Sequence, residues 1–145
     1  MSQPHTAATR GARRILIVDD NVDSAQSLAM LLGMSGYETY TAHDGVEAVR
    51  SAEQSLPAAV LLDIGLPGQN GYEVCRRIRQ QPWGQHMVLI ALTGWGQDGD
   101  RQQAEQAGFD THIVKPVDFD ALLRMLESLL ARTPGPGASA RDEPA

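Results

Sequence analysis

The sequence predicts an α/β domain with a doubly wound sheet of five parallel strands. Two observations lead there. Five short apolar runs, at residues 14–18, 38–42, 58–62, 87–92 and 111–114, alternate with helical spacing at 22–35, 45–55, 71–80, 97–107 and 118–130. Regular β-α alternation with short connections makes a parallel sheet wrapped by helices. The runs ILIV, AVLL and MVLIAL are also almost wholly apolar, as strands are when helices cover both faces of the sheet.

The elements follow in order. The first run stays apolar up to Asp19. The helix after it carries one charged residue, Asp23. With Leu28 and Leu31 set toward the core, its outer side holds Val22, Ala25, Gln26 and Ala29. The second run and the helix at 45–55 rest on spacing alone. The third run ends at Asp63. In the helix after it, Arg76, Arg77 and Arg79 read as a solvated face and Cys75 as a half-buried filler. The fourth run ends at Thr93. The glycines that follow, Gly94, Gly96 and Gly99, spell G-x-G-x-x-G. That dinucleotide fingerprint belongs in a first β-α turn with an acid about 20 residues on, so here they read as a mobile loop. The fifth run leads to Lys115. The last helix puts Phe119, Leu122, Leu123, Leu126, Leu129 and Leu130 on one face, with Asp118 as its N-cap. Residues 1–12 and 132–145 read as flexible tails flanking one domain at 13–131.

Composition narrows the function. The chain has 145 residues and a net charge of -6, which argues against a nucleic-acid binder, since that needs a basic stripe. No apolar run approaches the ~18 residues of a membrane span. The opening MSQPH has no apolar stretch of a secretory signal. Cys75 is the only cysteine, so no internal disulfide forms, and a cytoplasmic setting fits.

In a doubly wound sheet, ligands sit beyond the carboxyl ends of the strands, at the switch point. Asp19 and Asp20 follow the first run, and Asp63, Thr93 and Lys115 fall at the ends of the third, fourth and fifth. All the candidate chemistry therefore shares one rim. At ~4 Å and an effective dielectric of about 20, a like-charged pair costs about 4 kcal/mol, so something positive must compensate the three acids or a pKa must rise. Oxygen donors without His or Cys suit Mg2+. An acid beside Mg2+, a lysine and a hydroxyl makes a phosphoryl-acceptor site.

The motifs ILIVDDN, VLLDIGLPGQNGYEV, IALTGWG and AGFDTHIVKPVD occur in that order over residues 13–131. Together they resemble the receiver domains of two-component signalling, in particular receivers that stand alone or are fused to hybrid histidine kinases. The resemblance implies a flavodoxin-like (β/α)5 fold with strand order 2-1-3-4-5. It implies that Asp63 is phosphorylated by a phosphohistidine. Asp20 and Asp63 would ligate Mg2+ through side chains, Gly65 through its backbone carbonyl, and Asp19 mainly through bound water. Lys115 would contact a phosphoryl oxygen, Thr93 would swing toward the phosphoryl group, and His112 would hold the second switch position, where the family more often has Tyr or Phe. Lys115-Pro116 would be cis.

The implied partners are a histidine kinase or histidine phosphotransfer domain and a downstream protein that the sequence does not identify; a phosphorylation-dependent dimer is a further form the resemblance allows. The outer side of the first helix would meet the donor's four-helix bundle. With few residues after 131, output is expected through protein contacts or phosphate relay, from a single-domain regulator that is not an enzyme beyond its own phosphorylation and slow dephosphorylation. Gly65 offers no side chain to orient water, and Trp95, if folded over the rim, would exclude it, so slow loss of the phosphoryl group is expected. Two other classes share the fold. An Asp-nucleophile phosphatase wants D-x-D-x-[TV] and a cap segment, against Asp19-Asp20-Asn21-Val22-Asp23 here. A flavin or nucleotide binder wants a phosphate loop where this chain has acids.

Overall fold

A computed structural model of the chain describes residues 13–66, 70–94 and 99–132. The strands are β1 (Arg14–Val18), β2 (Glu38–Ala42), β3 (Ala59–Asp63), β4 (Val88–Thr93) and β5 (Thr111–Val114). The helices are α1 (Val22–Met34), α2 (Gly45–Ser55), α3 (Gly71–Arg79), α4 (Gly99–Ala107) and α5 (Phe119–Arg132), with a 3-10 turn at Pro82–Gly84. The sheet order is β2-β1-β3-β4-β5, and every neighbouring pair is parallel. This is the flavodoxin-like order. Its switch point lies between β1 and β3, whose following connections leave in opposite directions, so a crevice opens beyond their carboxyl ends.

Strand alternation builds two cores. Leu16, Val18, Val60, Leu62 and Leu89 face α2, α3 and α4, where Ala48, Ala52, Val74, Ile78 and Ala104 meet them. Ile15, Ile17, Leu61, Ile90 and Leu92 face α1 and α5, against Ala25, Leu32, Leu122, Leu126 and Leu130. Side chains pointing alternately to opposite faces of a strand, each covered, explain why the runs are apolar throughout. Helix starts are fixed by side-chain caps. Asn21 accepts from the Ser24 amide, Asp44 from Glu47 and Asn70 from Glu73. Asp118 accepts from Ala121 at 3.3 Å, as its position before the last helix leads one to expect.

Three expectations are corrected. On α1 the buried residues are Ala25 and Leu32, with Leu28 and Ala29 partly buried. Leu31 is 42% exposed and Ala25 only 1%. Leu31 and Leu32 are adjacent leucines, and choosing the wrong one rotates the helix by about 100°. The structure turns the small Ala25 inward, into the cluster that holds Ile15 and Ile17. Arg79 is not a solvated charge. Its guanidinium donates to the carbonyls of Gly84, Met87 and Gly108 at 2.9, 2.7 and 2.9 Å. It also pairs with Asp110 at 3.0 Å. Arg76 and Arg77 do lie exposed. Cys75 is fully buried, its thiol donating to the Ala107 carbonyl, and burial pushes its pKa up to about 12. It is therefore inert as a nucleophile at neutral pH.

The tails at 1–12 and 133–145, and residues 95–98 of the glycine loop, lie outside the described residues. Among the described residues no helix is long and apolar enough to cross a membrane.

Candidate functional site

The chemistry gathers at the carboxyl rim of the sheet. Asp63 is the last residue of β3 and only 8% exposed. Its Oδ1 accepts the Gly65 amide at 2.8 Å, and its Oδ2 accepts the Lys115 ammonium at 2.9 Å. The same Nζ stands 3.5 Å from Asp19 Oδ2. Lys115 follows β5 and reaches inward across the rim; its own amide donates to the Thr93 carbonyl at 2.8 Å. The Lys115-Pro116 bond is cis.

Asp19 is held on every side. Its amide donates to the Ala42 carbonyl at 3.1 Å, extending the β1–β2 pairing by one bond. Its Oδ1 accepts the Asn21 amide at 3.0 Å, and its carbonyl faces His43 Nδ1 at 3.0 Å. Asp20, beside it, is exposed. Each of Asp19, Asp20 and Asp63 offers a carboxylate oxygen, and these lie within 4.8 Å of one another.

Electrostatics follow from this packing. Burial pushes the Asp19 carboxyl above its ordinary range; the Asn21 amide and the Lys115 charge pull it back, and the Asp63 charge adds to the rise. Burial alone would lower the Lys115 pKa, but the Asp63 hydrogen bond and charge, then Asp19, carry it above its ordinary value. Lys115 therefore stays an ammonium at neutral pH, yet one ammonium does not neutralise three acids. The donor set fits a small hard cation: it is all oxygen, and the exposure of Asp20 leaves sides open to water, as Mg2+ prefers.

Thr93, the last residue of β4, is 4% exposed at the same rim. His112 is paired in register with Ala91, and Val114 with Thr93, so His112 sits two residues back from the rim. Gly65 has no left-handed backbone; a Cβ added there would meet only Asp63 Oδ1, at 3.5 Å. The position has room for a side chain directly beside the acceptor. Trp95 lies outside the described residues. The rim thus brings together Asp19, Asp20, Asp63, Gly65, Thr93 and Lys115, and leaves His112 two residues behind. Sequence reading did not single out His43, whose link to Asp19 spans 24 positions; only the β1–β2 pairing could have suggested it.

Residues 15–127 match the family model described as response regulator receiver domain. The chain is 34% identical over 113 residues to an uncharacterised 14.6 kDa protein of Leptolyngbya boryana, covering 78% of this chain and 86% of that one. It is 35% identical over 116 residues to response regulator PleD of Caulobacter vibrioides, covering 80% of this chain but 26% of PleD. It thus spans about a quarter of that relative's length. The receiver domain of sensor histidine kinase PA1611 from Pseudomonas aeruginosa PAO1, solved with magnesium in its active-site cleft, superposes with a TM-score of 0.76 at 36% identity, covering 83% of this chain and 99% of that one.

Proposed function

Because this chain belongs to the response-regulator receiver domains of two-component signalling, we propose that it accepts a phosphoryl group from a phosphohistidine onto Asp63, with Mg2+ as its cofactor. The observation that carries this reading is Asp63 itself, held at the rim between the Gly65 amide and the Lys115 ammonium, with two further carboxylates alongside.

An Asp63 carboxylate oxygen forms the new bond to phosphorus as the donor's P–N bond breaks and its electron pair stays on the imidazole nitrogen. The product is an acyl phosphate. Lys115, already at Asp63 Oδ2, follows the charge onto a phosphoryl oxygen. The Gly65 amide keeps the carboxylate oriented. Thr93 supplies a hydroxyl to the phosphoryl group, and His112, behind it on β5, occupies the second switch position. Asp19, Asp20, Asp63 and the Gly65 carbonyl would hold Mg2+, Asp19 mainly through water, and the bound cation would supply positive charge to offset that on the phosphoryl oxygens. The chain works in the cytoplasm as a signalling domain spanning residues 13–131, without turnover of other substrates. Its donor is a histidine kinase or histidine phosphotransfer domain, and its output runs through protein contacts. The discriminating experiment is beryllofluoride with Mg2+, which mimics the acyl phosphate: saturable binding that vanishes in Asp63→Asn supports the reading. Flavin colour in the purified protein, or turnover of small phosphate esters, overturns it.

Two expected results test its parts. Asp20→Asn weakens Mg2+ binding while relieving repulsion among the acids. Without metal its stability stays level or rises; solvent screening at this exposed residue keeps the gain below ~1 kcal/mol, a few degrees in Tm. Thermal melts with and without Mg2+ read both effects. A clear loss of metal-free stability would mean that the acids hold structure instead of a cation.

The second concerns the donor. Beside the rim, α1 and the loop after β5 border a cavity of about 620 Å³ lined by Ser24, Ser27, Leu28, Leu31, Pro116 and Val117, with Asp19 and Lys115 also on its wall. A donor seated there delivers its phosphohistidine to Asp63. Ala25 is buried, so a charge at that position would damage the core and test nothing else. Leu31→Glu is the cleaner probe. It slows phosphotransfer from the protein donor roughly tenfold, a change of about 1.4 kcal/mol, and leaves labelling by acetyl phosphate unchanged. Equal slowing with both donors removes α1 from the docking surface.

A further inference from the structure

Asp20 is the acid with the least support. It is exposed, and among the described residues nothing hydrogen-bonds its carboxylate. What restrains it is the backbone that carries it, held on one side by the Asn21 amide bonding Asp19 Oδ1 and on the other by the peptide joining it to Asp19. The carbonyl of this peptide belongs to Asp19 and faces His43 Nδ1 at 3.0 Å. A carbonyl only accepts, so Nδ1 carries the proton and donates.

His43 is in turn held by the start of α2. Asp44 caps that helix, accepting from the Glu47 amide at 2.8 Å. Glu47 reaches back and accepts the His43 amide at 2.9 Å. The two bonds tie the helix start and the residue before its cap together. The ring is half-buried. Because the peptide group is planar, holding its carbonyl restrains the N–Cα axis on which the Asp20 side chain is mounted, and so narrows the settings from which its carboxylate reaches the cation.

We infer that His43 is a positioning residue for the metal site: its Nδ1–H holds the Asp19–Asp20 peptide so that the Asp20 carboxylate points at the cation. The inference rests on the Mg2+ reading above. It assigns a role to a residue outside the rim acids, and links the cap of α2 to metal affinity. Groups that orient ligands in this way are worth roughly tenfold in metal affinity.

The test exploits side-chain geometry. Asn places its Nδ2 donor the same number of bonds from Cα as imidazole Nδ1, whereas Gln places its donor one bond further out. Titration of the full chain with MgCl2 by calorimetry gives the affinity directly. His43→Ala weakens binding roughly tenfold, His43→Asn restores most of it, and His43→Gln does not. In the Ala variant, acetyl-phosphate labelling slows at limiting Mg2+ and recovers at saturating Mg2+. Wild-type affinity in His43→Ala, or equal affinity in the Asn and Gln variants, overturns the inference and leaves the metal site standing. If the Ala variant does not fold, the Asn and Gln comparison decides alone. Absence of Mg2+ binding in the wild type removes both the inference and the reading beneath it.

Discussion

Asp63→Asn leaves no detectable phosphorylation from either acetyl phosphate or a phosphohistidine donor, in a protein that still folds. The substitution keeps size and removes the negative charge that makes the side chain a nucleophile. It also disturbs the local bonding. The carboxylate accepts from the Gly65 amide on one oxygen and from Lys115 on the other. A carboxamide has only one acceptor oxygen, so one of those donors meets an NH2 group instead. Losing a charged partner at Lys115 costs stability, while removing one of three clustered acids returns some, so circular dichroism stays native and Tm moves modestly. The measurement is radiolabel retained on the chain and its release by hydroxylamine, which cleaves acyl phosphates. Undiminished, acid-stable label on the mutant would falsify Asp63 as the acceptor.

Gly71→Ala carries the largest expected stability effect tied to the site. Gly71 opens α3, and its amide donates to the Ile64 carbonyl at 3.1 Å. A Cβ there would stand 2.5 Å from Ile64 Cα and 2.8 Å from the Asp63 carbonyl oxygen. Both neighbours are backbone, so no flexible side chain can yield. Either the helix start or the end of β3 must move, at a cost of about 2–3 kcal/mol, as for other overpacked sites. That lowers Tm by roughly 10 °C in a domain of this size. The end of β3 also carries the acceptor, so acetyl-phosphate labelling falls with it. Urea unfolding and labelling rate, measured on one preparation, read both. A Gly71→Ala protein within ~0.5 kcal/mol of wild type shows that the close approach is not held in solution.

Much of the site was legible because its residues stand where apolar strands stop. Asp19, Asp63, Thr93 and Lys115 each end a run or follow one, so finding the strands found the rim. Strand and helix limits agree to within one or two residues, the ordinary margin at fraying ends. What stayed hidden depends on contacts between elements. The rotation of α1 could not be read, since Leu31 and Leu32 are equally apolar and only the fit of Ala25 against the sheet decides between them. Arg79 reads as a surface charge because nothing in a linear pattern brings it to the carbonyls of Gly84, Met87 and Gly108. His43 is invisible for the same reason: its partner lies on the neighbouring strand's end. The turn at Pro82–Gly84 is too short to show a period.

Arg13 and Leu130 meet at the pole opposite the rim, where Arg13 Nη1 donates to the Leu130 carbonyl at 3.1 Å. Arg13, just ahead of β1, is thus latched to the last helix on the face that carries no chemistry. For anyone building with this domain, that latch works as a paired attachment port. A fluorophore, an affinity tag or a second protein joined directly at Arg13 or beside Leu130 starts from the side of the sheet away from Asp63. Arg13 and Leu130 lie so near each other that a receiver cut at these two positions can be spliced into a surface loop of a host protein, with Asp63 on its outer side.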